Sequence, residues 1–275
     1  MLQVEHILRE VSAQVIEPRF AALQDDDVWL KSPGEVVTIA DKEAEQLLAR
    51  RLGDLLPGTP VVGEEGSSQD RQLLSYLAEG DAWLVDPLDG TANFVAGGAD
   101  WAVMVALVER GATVASWIWR PADQVMYMAE LGQGAARNGV PFRRTRPIPP
   151  ISEMRGAVLT RFLDPVTSNL VAANRNRFGS VSNGRLCAGV DYPALIESDQ
   201  EFVLFWRTLP WDHAPGALLL SEAGGVAWRL DRTPYGPTQQ RSGLLAAATE
   251  EAWDAVRSAL LDSQSPTRDE QIREI

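Results

Sequence analysis

The chain has 275 residues, 45% hydrophobic and 23% charged, the composition of a globular protein with a large core. Its formal charge of −13 repels phosphate backbones, which argues against nucleic acid as a partner. The single cysteine, Cys187, excludes an internal disulfide; with only His6 and His213 as histidines, a His-rich zinc site is excluded and any metal should be a hard ion held by oxygen.

In chain order, apolar residues at helical spacing predict a first helix over residues 2–23. This N-terminal stretch carries charges throughout and lacks the basic start and uninterrupted apolar core of a signal peptide. No segment approaches the roughly 20 apolar residues of a membrane span. A cytoplasmic protein with no membrane association is expected. Asp25 to Gly34 reads as a polar loop containing Lys31. A second helix follows from about Ile39 to Leu52, with Thr38 or Asp41 as its cap. Val61-Val62-Gly63 is a short strand with Glu64-Glu65 at its end, and residues 70–79 suggest another helix.

From residue 82 to 130 the segments AWLVD, WAVMVALVE, TVASWIW and VMYMAE, separated by Gly and Pro turns, predict an antiparallel sheet. The Arg- and Pro-rich stretch around Pro141 to Pro150 reads as a connection to a second half. Beyond it, strand-like and helix-like segments alternate, including a strand AVLT and helices over 165–176 and 188–198. Asp212 to Ala223 is a helix with Pro215 in its first turn, closed by Gly224-Gly225. The expected organisation is an N-terminal half, 1–148, packed as one unit with a C-terminal half, 149–262, and a charged tail, 263–275.

The most informative run is Trp83-Leu84-Val85-Asp86-Pro87-Leu88-Asp89-Gly90-Thr91. Its apolar part reads as the end of a buried strand, and open α/β sheets place ligands at such carboxyl ends. Two carboxylates this close repel each other unless a cation lies between them. Acids recur at element ends beside Gly or Thr at Thr38–Asp41, Gly63-Glu64-Glu65 and Trp211-Asp212. Bland readings stand beside these: Thr91, Asp41 and Asp212 are also residue types that cap helices. Lys31 also reads as a loop lysine, Glu65 as a solvated acid, His213 as a packing histidine and Cys187 as a small buried residue.

The segments GEE at 63–65, DPLDGTANF at 86–94 and PWDHAPGALLLSEAGG at 210–225 resemble the signatures of the inositol monophosphatase family, and the resemblance runs in order from about Leu2 to Ala248. It implies a layered αβαβα sandwich of the α/β (α+β) class and a phosphatase of small phosphorylated metabolites using two or three Mg²⁺ ions. It further implies metal ligands at Glu64, Asp86, Asp89, Asp212 and the carbonyl of Leu88. Thr91 would orient the attacking water, supported by Asp41. Gly90 and Thr91 would hold the phosphate, aided by the first turn of a helix beginning near Thr91. Lys31 and Glu65 would stand behind the ligands, and family members commonly form homodimers. One departure concerns the alcohol: seven residues before Asp212, where inositol-type members carry a hydroxyl-binding Glu, stands Phe205, which cannot accept a hydrogen bond. Asp191, Tyr192 and Arg207 are candidates to replace that contact. Other phosphatases of the superfamily, acting on nucleotide 3′-phosphates, fructose bisphosphate or histidinol phosphate, stay open. So does a binding or regulatory role on the same fold. The cluster Arg143-Arg144-Arg146 could serve a bisphosphate.

Overall fold

The structure, a computed structural model, describes residues 1–32 and 34–262; the tail expected over 263–275 lies outside the described residues. Helix α1 (Leu2–Val11) continues as a π-helical turn (Ser12–Ile16) and a 3₁₀ turn (Glu17–Arg19). The single helix expected over 2–23 ends early. Pro18 has no N–H to donate to a continuing ladder, and Ala21 turns into the left-handed region at φ 56°. The expected polar loop, Asp25 to Gly34, proves to contain a strand, β1 (Val28–Ser32), paired antiparallel with β2 (Glu35–Thr38). These strands are short and neither alternates buried with exposed residues, so they do not stand out in the sequence. Helix α2 (Ile39–Leu55) then starts with a capping box that uses both candidate caps. The Thr38 hydroxyl accepts from Ala40 N at 3.1 Å, and the Asp41 carboxylate accepts from Thr38 N at 2.8 Å.

Strand β3 (Val61–Gly63) leads into α3 (Glu64–Gln69). The helix expected at 70–79 is instead a 3₁₀ turn (Arg71–Ser75) followed by the short α4 (Tyr76–Glu79). Strand β4 (Asp81–Asp89), the short α5 (Thr91–Val95), β5 (Ala102–Glu109), β6 (Ala112–Arg120), β7 (Val125–Glu130), β8 (Gly134–Arg137) and β9 (Val140–Phe142) follow. They form a sheet ordered β3-β4-β5-β6-β7-β8-β9, antiparallel except for the parallel β3–β4 edge. The second half contributes β10 (Arg155–Val158), α6 (Pro165–Asn174), β11 (Ser180–Ser182), α7 (Ala188–Ile196), β12 (Phe202–Phe205), α8 (Pro210–Glu222), β13 (Val226–Arg229), β14 (Leu244–Ala247) and α9 (Glu250–Leu261). Its sheet is mixed, ordered β11-β10-β12-β14-β13.

These elements stack in five layers, αβαβα. Helices α1 and α2 bury Leu8, Leu48 and Leu52 against Trp83, Val85 and Val103 on one face of the large sheet. Helices α7 and α8 fill the space between the sheets, where Tyr192 and Leu219 meet Met104 and Ile118 on one side and Val203 and Ala246 on the other. Helices α6 and α9 cover the far face of the small sheet through Val171, Trp253 and Val256. Helix α8 begins at Pro210, so Pro215 lies beyond the expected first turn and removes one ladder bond from the interior. Next to it, Gly216 lets α7 approach: a Cβ there would lie 2.0 Å from the buried Tyr192 ring. Gly216→Ala is therefore expected to lower stability by about 1–3 kcal/mol, the usual cost of overpacking a core. Urea unfolding measures this, and an unchanged midpoint would contradict the helix contact.

Candidate active site

Strand β4 solves a problem of alternation. In a regular strand, residues three apart point to opposite faces of the sheet. Here Asp86 pairs with Met104 and Asp89 with Ala102, so β4 spends three steps where β5 spends two. The extra residue is a β-bulge at Pro87-Leu88, where proline has no N–H for the ladder. Met104 and Ala102 both face the α7–α8 layer. The bulge therefore turns Asp86 and Asp89 to that same face, while Leu88 packs toward α1 and α2. The chain then reverses at Gly90, whose φ of 83° and close approach to the Asp100 carbonyl (2.7 Å from an added Cβ) admit only glycine.

A cleft of about 1060 Å³ opens at this end of β4. Glu64 from the start of α3, Asp86, Leu88, Asp89, Gly90 and Thr91 from β4 and its turn, Asp212 from the first turn of α8, and Lys31 from the hairpin all line it. Asp41 sits behind Thr91, 1% exposed. Its Oδ1 lies 3.0 Å from Thr91 Oγ1, while Oδ2 accepts from Thr38 N and from Thr38 Oγ1 at 2.6 Å. Thr91 Oγ1 is also 2.9 Å from the carbonyl of Leu88. Glu65 is buried outside the cleft lining and shares Lys31 with Glu64, whose Oε1 is 2.9 Å from the ammonium. The helix expected to begin near Thr91 is α5, which starts at Thr91 and has only five residues.

Sequence reasoning missed Glu45. Its carboxylate accepts from the N–H groups of Glu65 and Gly66, each at 2.7 Å, and so fixes the turn that carries Glu64. The signal was present: Asp41 and Glu45 are four apart on α2 and share a helix face. Arg161 and Phe162, which also line the cleft, lie in the weakly patterned region before α6 and were not singled out. Of the three candidates to replace the hydroxyl contact, only Arg207 reaches the cleft. Asp191 is buried and accepts from Arg185 N at 3.1 Å, and Tyr192 is buried with its hydroxyl 3.2 Å from His213 Nδ1. Phe205 is stacked on Tyr192 and edge-on to His213. His213 is a packing residue, its pKa lowered by burial to about 3. Two of the three clustered arginines serve the scaffold: Arg144 bonds Glu201 and the Leu195 carbonyl, and Arg146 the Ser198 carbonyl.

Gathering these acids has an electrostatic cost. Burial, then the charges of Glu64, Asp89 and Asp212, hold Asp86 well above the ordinary aspartate range. Burial, Asp89 and Glu64 do the same to Asp212. Burial pushes Asp89 to about 6 although Gly189 N, at 2.6 Å, and Cys187 Sγ, at 3.1 Å, donate to it. Asp41 rises to about 6, chiefly by burial and against its bonds from Thr38. For Lys31, burial is outweighed by Glu64 and Glu65, which hold it charged. Among the described residues, no three His, Cys, Asp or Glu side chains are drawn into a ready-made metal cluster. Glu64 is held by Lys31, and Asp89 by the start of α7.

These raised values set a pH dependence. Asp41 and Asp89 bind protons more tightly folded, at about 6, than at their ordinary 3.8. Their stabilisation is complete below pH 3.8 and is lost as the pH rises through 6. With chelator present, these two acids together with Glu65 and Asp191, each raised to about 7, outweigh the buried His213, which resists protonation as the pH falls, and the melting temperature is expected to drop by roughly 5 °C or more between pH 5 and pH 7. Calorimetry at the two pH values checks this; a flat or rising melting temperature would contradict it.

A model of the inositol monophosphatase family matches residues 2–265. The chain belongs to the inositol monophosphatase family. Similar relatives include an inositol-1-monophosphatase of Rhizobium meliloti, 30% identical over 251 residues, 88% of each chain. Another, from Mesorhizobium japonicum, is 31% identical over 77% of this chain and 79% of its own. A protein of Vibrio cholerae named Nus factor SuhB is 31% identical over 71% of this chain and 72% of its own. The fold is shared with extragenic suppressor protein suhB from Bartonella henselae, at a TM-score of 0.79 and 23% identity over 95% of this chain and 99% of that one. It is also shared with inositol monophosphatase-II from Staphylococcus aureus, at 0.77 and 22% over 98% and 94%. The layered αβαβα architecture expected from the motifs is thus the observed one. Among the described residues, no helix is long and apolar enough to cross a membrane.

Proposed function

We propose that this family member hydrolyses the phosphate monoester of a small alcohol with Mg²⁺ as cofactor. The observation that carries the reading is the convergence of Glu64, Asp86, Asp89 and Asp212, from three separate segments, on one cleft beside the Thr91–Asp41 pair. The donor set fits the ion: four carboxylates and the Leu88 carbonyl are hard oxygen ligands that repel one another, and Mg²⁺ needs only a few such groups beside its waters. When bound there, two or three Mg²⁺ ions would neutralise phosphate charge and acidify water.

The chain's own residues supply the rest. Asp41 receives the Thr91 proton, so the hydroxyl oxygen can accept one from a water aimed at phosphorus. Backbone N–H groups at Gly90 and Thr91, which line the cleft at the start of α5, would donate to the phosphate oxygens. Lys31 holds Glu64 and Glu65 without adding a further negative charge. Phe205 provides an apolar wall where an inositol-type site would accept hydroxyl protons, which favours an alcohol other than inositol.

The decisive experiment is phosphate release with and without Mg²⁺ across a panel of phosphorylated polyols, sugars, nucleotides and histidinol phosphate. Turnover of at least one substrate, lost on chelation, is expected. No turnover above that of an Asp89→Asn control would defeat the proposal. The relatives named Nus factors favour weighing a second reading, a binding protein on this scaffold. Capture of a stoichiometric partner equally by wild type and by Asp89→Asn, without turnover, would support it.

A further inference from the structure

Part of the cleft wall opposite the acids is tied down by one buried cation. Strand β13 ends at Arg229 and β14 begins at Leu244; the connection over residues 230–243 contains no helix or strand. Connections of that length without regular structure are uncommon in compact proteins and usually serve function. Here Pro237, Thr238, Gln239, Gln240, Arg241 and Ser242 line the cleft.

Arg229 holds this connection by its guanidinium. Its Nε donates to Gln239 Oε1 at 3.0 Å, Nη1 to the Arg241 carbonyl at 2.7 Å and Nη2 to the Gln239 carbonyl at 3.2 Å. Nη1 also donates to Thr208 Oγ1 at 3.0 Å, and that hydroxyl donates its own proton to the Arg241 carbonyl at 2.6 Å. Thr208 lines the cleft too and belongs to the segment that leads into α8 and Asp212. One side chain thus ties together two segments that meet nowhere in sequence.

The residue type is costly at this place. Arg229 is the only buried lysine or arginine among the described residues, at 0% exposed, and its hydrogen-bond partners are all neutral oxygens. A cation buried without a carboxylate loses its hydration with no opposite charge in return, and burial holds its pKa below the ordinary arginine value. An apolar side chain of similar size would avoid that cost. What it could not supply is a planar fork that meets several acceptors on two segments at once; the short ammonium of lysine could not either.

We propose that Arg229 is a positioning residue for the reaction: its fork pins residues 236–242 and Thr208 to each other and so fixes the wall against which the alcohol portion of the substrate is seated. It acts through Thr208, Gln239 and Arg241 and touches no reacting atom. The kinetic part rests on the phosphatase reading of the acid end; the anchoring does not.

The test uses R229M, which keeps the apolar bulk and removes the fork, and T208V, which removes one link at nearly constant shape. Trypsin reads the anchor directly, since it cuts after Arg241, whose side chain is 51% exposed while its carbonyl is held. Under conditions where each variant is folded by circular dichroism, cleavage after Arg241 should be about tenfold faster in R229M than in wild type and about threefold faster in T208V, with other tryptic sites unchanged. With p-nitrophenyl phosphate and glycerol 3-phosphate, KM should rise about tenfold in R229M while kcat and the half-saturating Mg²⁺ concentration stay within about threefold, a split that loss of stability alone does not give. Cleavage after Arg241 no faster than in wild type, or faster cleavage with KM unchanged, would overturn the proposal. Cleavage accelerated equally at every site would also overturn it, because it marks a residue that serves stability alone. If R229M does not fold, T208V is read in the same way. If wild type turns over neither ester, that failure counts against the phosphatase reading, and trypsin alone decides whether Arg229 anchors the wall.

Discussion

Asp89→Asn is expected to abolish Mg²⁺-dependent phosphate release while leaving a folded protein that is more stable without metal. Asp89 is one of the acids that burial and mutual repulsion make costly to ionise, with a pKa of about 6. The asparagine amide has the same shape, and its oxygen still accepts from Gly189 N, which the carboxylate meets at 2.6 Å. The start of α7 therefore keeps its partner, and one negative charge leaves a crowded site. At pH 7 the metal-free variant should gain roughly 1–2 kcal/mol, a rise in melting temperature of about 2–5 °C. Activity should respond in the opposite direction. A neutral amide is a weak ligand for a hard divalent ion, so kcat/KM should fall at least about 10³-fold, equivalent to roughly 4 kcal/mol of transition-state stabilisation. The stabilisation given by Mg²⁺ in calorimetry should shrink in parallel. If Asp89 only capped α7, the substitution would leave turnover intact; near-native activity in the variant would therefore refute a metal role for this residue.

What could be read from the sequence follows from how local each signal is. The run from Trp83 to Thr91 is contiguous, and its chemistry is visible because strand, turn and acids occupy nine residues. That both aspartates face one side is not visible. It depends on the bulge at Pro87-Leu88 and on pairing with Ala102 and Met104. Long, almost continuously buried apolar strands, β4 to β7, stand out; the β1–β2 hairpin does not, because its four- and five-residue strands carry no clean pattern. Yet that hairpin brings Lys31 to Glu64. The cleft wall opposite the acids is assembled from loops near residues 160, 207 and 241, each irregular and far apart in sequence. Tertiary placement alone separates Arg207, which reaches the cleft, from Asp191 and Tyr192, which do not.

Thr91→Ala is expected to lower kcat about 10²–10³-fold with KM changed less than about threefold, whereas Thr91→Ser should keep activity within about tenfold. The hydroxyl has one proton and two acceptors in reach, Asp41 Oδ1 at 3.0 Å and the Leu88 carbonyl at 2.9 Å. Either way the proton points into the protein, so the oxygen's lone pairs are left for a water in the cleft. Asp41 is suited to drive the transfer. Its other oxygen is saturated by two bonds from Thr38, and burial raises it to about 6, close enough to neutrality to accept a proton during reaction. Alanine leaves Asp41 without this partner and the water without an acceptor. The four acids and the Gly90 turn stay in place, so substrate binding should persist. A helix-capping role alone predicts a different outcome: a loss of stability with kcat largely preserved. Steady-state kinetics beside thermal unfolding separates the two. A Thr91→Ala enzyme within threefold of native kcat would remove Thr91 from the reaction, and Asp41 with it.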